Sequence, residues 1–62
     1  MIRKEMQDKY QEAVKAVATA NDCDMDVAYD KIRYMAQNPD GEKYPGVPEG
    51  FDFGAFLEDL NR

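Results

Sequence analysis

Residues 21–30 read NDCDMDVAYD, and the fold turns on whether they form a metal-binding loop or the start of a helix. Counted from Asp22, the acids that a calcium loop carries at positions 1, 3, 5 and 9 are present as Asp22, Asp24, Asp26 and Asp30. Position 6, where such a loop needs glycine for its sharp turn, is Val27. Position 12, where it needs a bidentate glutamate, is Arg33. An explanation without an ion covers more of the pattern. Asp22 or Asp24 caps the free backbone N–H groups of a helix start, and Asp26 adds negative charge near its positive end. The stretch is read as a turn entering a helix, with no metal and no cofactor expected.

That helix is expected over about 24–37. Met25, Ala28, Tyr29, Ile32, Met35 and Ala36 fall on one side, and Cys23, Val27 and Tyr34 fall roughly opposite. Two stripes on one helix have two explanations. Either the helix is sandwiched between its neighbours, or the second stripe meets another subunit or a target. Asn38-Pro39 ends the element, because the residue before a proline is pushed out of the α region. Pro39-Asp40-Gly41 then reads as a turn.

Upstream, Ile2, Met6, Tyr10, Ala13, Val14, Val17 and Ala20 recur at spacings of three and four, which predicts one helix over 2–20. Glu5 with Lys9 and Glu12 with Lys15 support it from the polar face. Downstream, the Pro/Gly-rich loop 38–51 holds all three prolines. Tyr44 and Val47 are expected to pin it across the helix pair. Asp52 is a good N-cap for a short last helix over 52–61, with Phe51 placed to staple onto Phe56. Phe53, Phe56, Leu57 and Leu60 share its apolar face. The expected fold is all-α: one compact three-helix domain, with two longer helices in a hairpin, a long loop and a short C-terminal helix.

Sixty-two residues make one domain at most. A core of that size rarely yields more than about 3–5 kcal/mol without a disulfide, a metal or an oligomer partner. Cys23 is the one cysteine, so no disulfide forms within the chain. The four nearby aspartates disfavour its thiolate, which points to packing rather than reactivity. The start, MIRKEMQDKY, is charged from its third residue and carries no secretory apolar region. AVKAVATA (13–20) is far short of the roughly 20 apolar residues of a membrane span. A soluble, cytoplasmic protein without membrane contact is expected.

Net charge is −5, divided as +1 over residues 1–20 and −6 over residues 21–62. That balance repels phosphate backbones, so direct nucleic-acid binding is not expected and a basic protein partner is. A helix-turn-helix drawn across the ANDC connection (20–23) fails on the same ground, since Asp24, Asp26 and Asp30 would face phosphates. Gly41 and Gly46 have the spacing of a phosphate loop, but Val47-Pro48 stands where lysine and a hydroxyl residue are needed. The chain has no histidine, which removes the usual acid–base shuttle. The pair Glu58-Asp59 is expected on a solvated polar face, so no catalytic residues are assigned and no enzyme is expected.

By elimination, the sequence points to a small acidic, non-catalytic binding protein. Its expected role is an accessory or inhibitory factor on another macromolecule, of the kind a phage or mobile element encodes. The expected contact surface combines Asp22, Asp24, Asp26 and Asp30 with Tyr34, Lys43 and Tyr44, since tyrosine is apolar in body and polar at the tip. Two alternatives stay open. One is a homo-oligomer that sequesters a small anionic or nucleotide-like ligand between subunits through Lys4, Lys9, Arg33 and Lys43. The other is a structural assembly protein using the Cys23–Val27–Tyr34 stripe.

Overall fold

The computed structural model describes residues 2–62. They form four helices, α1 (Arg3–Lys9), α2 (Gln11–Asn21), α3 (Met25–Gln37) and α4 (Phe53–Leu60), with no strand among the described residues. The all-α expectation holds, and the count of three helices is corrected to four. The element expected over 2–20 is interrupted at Tyr10, whose φ of −107° and ψ of 28° lie outside the helical region. Proline and glycine are both absent from that stretch, so the cause is not local. It coincides with a tertiary anchor, the Tyr10 ring and hydroxyl docked onto α4. Backbone bonding bridges the break, since Tyr10 N–H donates to the Met6 carbonyl and Val14 N–H donates to that of Tyr10.

Helix α2 ends where Asp22 adopts the left-handed conformation, φ 51° and ψ 52°. Aspartate tolerates that region better than most side chains. Cys23 N–H then reaches back to the Ala18 carbonyl at 3.0 Å, a closing bond of the Schellman type. Two residues later Asp24 caps α3, its Oδ1 accepting from Val27 N–H at 2.9 Å. Such a short turn folds α3 back along α2 as a helical hairpin. The helix stops at Asn38, and Gly41 N–H donates to the Asn38 carbonyl to close a turn with Pro39 and Asp40 at its centre.

The core lies between α2, α3 and α4. Val14, Val17, Ala28, Ile32 and Phe56 are all 1% exposed or less. Met6 extends this core under α1, whereas Ile2, at the start of the predicted stripe, is 64% exposed. Burying a side chain as large as Phe56 contributes about 2–3 kcal/mol, a large share for a chain this size. Asp52 caps α4 by accepting from Ala55 N–H at 3.0 Å, and Phe51 packs on Phe56 with ring centroids 6.1 Å apart.

The 38–51 segment lies against the helices along much of its length. Tyr44 and Val47 pack on the core, and Tyr44 N–H points at the Met35 sulfur, 3.3 Å away. The closest approach is at Gly46, φ +98°, where a Cβ would sit 2.6 Å from the Ala20 Cβ and 2.7 Å from the Ala16 carbonyl oxygen. Only glycine fits there on both counts. Asn21 fastens the same point, donating from Nδ2 to the carbonyls of Val17 and Pro45. No described helix is long and apolar enough to cross a membrane.

Candidate functional site

The four aspartates of the opening stretch do separate structural jobs. Asp22 takes the left-handed turn and Asp24 caps α3. Asp26 accepts from Gln7 Nε2 at 2.7 Å, and Asp30 pairs with Arg3 and lies 3.7 Å from Arg33. The last two tie α1 along α3. Arg3 also lies over the Tyr29 ring, and its guanidinium is held above its ordinary pKa chiefly by the Asp30 hydrogen bond. Among the described residues, no group of three or more His, Cys, Asp or Glu side chains is arranged to hold a metal ion.

The outward side of α3 is different. Val27 and Tyr34 stand two turns apart on one line of the helix, 43% and 42% exposed. Beside them the Tyr44 ring meets Tyr34 edge-on at 6.2 Å, and the Lys31 ammonium sits over the Tyr44 face at 4.2 Å. The Tyr44 hydroxyl donates to Glu42 Oε2 at 3.1 Å, which holds the phenol above its ordinary pKa. Tyr34 and Tyr44 are thus brought together with Lys31 and Glu42, two residues that sequence reasoning did not place there. Lys43 is turned away to the Pro39 carbonyl. Cys23 is half-buried and packs against the core, so the stripe exposed on this side reduces to Val27 and Tyr34.

The four cations assigned to an anion site are not brought together. Lys4 lies 3.9 Å from Asp8, Arg33 faces Asp30, Lys43 bonds the Pro39 carbonyl and Lys9 pairs with Asp59. Each is engaged by its own neighbour.

The last pair belongs to a cluster that the sequence did not reveal. Asp59, expected on a solvated face, is 5% exposed. Its Oδ2 accepts from the Tyr10 hydroxyl at 2.5 Å and from Lys9 Nζ at 2.6 Å, with Arg62 Nε 3.9 Å from the other oxygen. The Lys9 and Tyr10 hydrogen bonds hold the Asp59 carboxyl below its ordinary pKa against the opposing effect of burial. Burial, and then the bond to Asp59, push the Tyr10 phenol up to about 12. Asp59 falls three residues after Phe56 and two after Leu57, at the edge of the apolar arc, and charge alone masked its inward direction. An open concavity of about 480 Å³ lies beside Tyr10, walled by Phe51 and Pro48 and rimmed by Asp8, Lys9 and Glu12. Its one phenol is already committed to Asp59.

No known protein family matches this chain, and neither a characterised protein nor a solved structure shows significant similarity to it.

Proposed function

We propose that this chain is a small non-catalytic binding factor that acts on another macromolecule, a protein, through the outward face of α3. The observation that carries the reading is the exposure of Val27 and Tyr34 on one line of a helix whose other apolar residues are buried or, at Met25, partly buried. Tyr44, fixed by Lys31 and Glu42, widens that line into a preformed aromatic platform. Aromatic side chains held in place before binding give contact area at little entropic cost. The scale fits as well. A standard interface takes roughly 800 Å² from each partner, about a fifth of the 4104 Å² this chain exposes. The reading of an accessory or inhibitory factor, rather than a catalyst, is supported by the commitment of Tyr10 and Lys9 to Asp59.

The test places a photoreactive amino acid at position 34 in one variant and at the exposed position 58 on α4 in another, both expressed in the source cell. A discrete protein adduct at 34 that is missing at 58 is the expected result. Equal adducts at both positions, or none at 34, would defeat the reading.

A further inference from the structure

The charges around this platform are unevenly neutralised, and the unevenness identifies a ligand. Asp30, midway along α3, already has Arg3 and Arg33. Lys31 is occupied by the Tyr44 ring, whose hydroxyl in turn engages Glu42. Asp22, Asp24 and Asp26, around the N-terminal end of α3, have no lysine or arginine within ion-pair distance among the described residues. The surface is therefore an exposed apolar line with a slight excess of positive charge at its middle, where Arg3, Arg33 and Lys31 face Asp30 and Glu42, and acids without an ion-pair partner at one end.

Resting on the docking role proposed above, we infer that the outward face of α3 takes a cationic amphipathic helix of a partner protein. That helix runs antiparallel to α3, its apolar stripe on Val27 and Tyr34 and its basic last turn over Asp22, Asp24 and Asp26. Direction follows from electrostatics. Lysine and arginine are favoured in the last turn of a helix, where the macrodipole is negative, and antiparallel alignment opposes the two dipoles. Length follows from α3, whose 13 residues span about 20 Å and match a partner of three to four turns. A second copy of this chain fits less well. Antiparallel pairing of two α3 helices would lay the segment after Gln37, with Asp40 and Glu42 as well as Lys43, over the partner's acidic end. Nucleic acid would bring more negative charge to the same place.

The experiment is a ¹⁵N-resolved NMR titration of the full chain with three side-chain-stapled helical peptides. All carry one leucine stripe; they differ in having lysines in the last turn, lysines in the first turn, or glutamates in the last turn. The expected result is that the first peptide shifts the amides of Val27, Lys31, Tyr34 and Tyr44. It should bind at least about tenfold more tightly than the glutamate peptide, with an advantage that shrinks as salt rises. The Asp22→Asn, Asp24→Asn, Asp26→Asn triple variant should remove most of that advantage and keep its helical circular dichroism. Asparagine can still take the left-handed turn, cap α3 and accept from Gln7. If all three peptides bind this face equally, the cationic, directional partner is refuted and the docking role survives. If none shifts these residues, the inference falls, and the adduct test at position 34 judges the docking role separately. A concentration-dependent dimer broken by Tyr34→Glu would overturn it in favour of a second copy.

Discussion

The two ends of the molecule treat polar groups in opposite ways. Where α4 meets the junction of α1 and α2, Asp59 is buried, and it is held by Tyr10 and Lys9 with Arg62 nearby. Three aromatic rings, Tyr10, Phe51 and Phe56, pack edge-on or tilted against one another there, and the first bonds that carboxylate. On the outward face of α3, by contrast, Val27 and Tyr34 face solvent, and near its N-terminal end Asp22, Asp24 and Asp26 have no lysine or arginine within ion-pair distance among the described residues. One end buries its charge among internal partners; the other keeps its acids at the surface, bonded only by a cap and a glutamine, beside exposed apolar side chains. The difference teaches where each kind of substitution will register. Changes at the closed end should cost stability, and changes at the open end should leave the fold in place and alter what it binds.

The sharpest way to test that division is to damage the closed end. Phe56→Ala removes the largest fully buried side chain, and such truncations cost about 3–5 kcal/mol. In a domain of this size that is most or all of the folding free energy, so no cooperative thermal transition should remain by circular dichroism. A sigmoidal melt within a few degrees of the parent would show that α4 is not the keystone. Gly46→Ala comes next. It combines a left-handed φ with overlap against the α2 backbone, and a loss of about 2–3 kcal/mol is expected in urea unfolding. A neutral result would mean that the loop does not rest on α2.

Tyr10→Phe removes one hydrogen bond and no packing, and should cost about 1–2 kcal/mol near neutral pH. Its pH profile is more informative than its size. The Tyr10 phenol is raised from 10.0 to about 12 in the folded chain. Its contribution is therefore fully present below pH 10 and is lost as pH rises from 10 towards 12. The Asp59 carboxyl is lowered from 3.8, so its contribution is fully present above that value and is lost as pH falls below it. Urea midpoints of the parent should therefore fall off at both extremes. Tyr10→Phe should shrink the alkaline limb, to which the raised phenols of Tyr29 and Tyr44 also contribute, and weaken the acid one. If the alkaline limb is undiminished in the variant, the Tyr10–Asp59 link is not its origin.

How much of this was legible beforehand depends on the range of the interaction involved. The helical character, the cap at Asp52 and the Phe51–Phe56 staple rest on neighbours within five residues, so spacing and residue type sufficed, and at the start of α3 they narrowed the cap to Asp22 or Asp24. The break at Tyr10 depends on a residue 49 positions away, and the 2–20 stripe holds no local breaker. Asp59 was misplaced for the same reason, since charge predicts solvation and only a distant lysine and phenol reverse it. Within the candidate site, Tyr34 and Tyr44 were legible as exposed-type aromatics near one another in the chain. The pairing of Asp30 with Arg3 was not, and it separates the one neutralised aspartate from the three others.

At the open end the expected effects are the smallest, and they decide the comparison. Asp24→Ala deletes the α3 cap and should cost about 1 kcal/mol, whereas Asp24→Ser keeps an acceptor and should recover most of it. Val27→Ser and Tyr34→Ser, made together, should stay within roughly 0.5 kcal/mol of the parent for each substitution. Core side chains of similar size cost several times more, and the difference lies in what each residue does in the isolated chain. Ile32, one turn or so along the same helix, is 1% exposed and loses its contacts when truncated; Val27 at 43% has few to lose. If the double variant instead unfolds near the midpoint shift of Gly46→Ala, then Val27 and Tyr34 are part of the core's support. The outward face of α3 would then have no surplus apolar surface to offer a partner, and the contrast between the two ends would collapse.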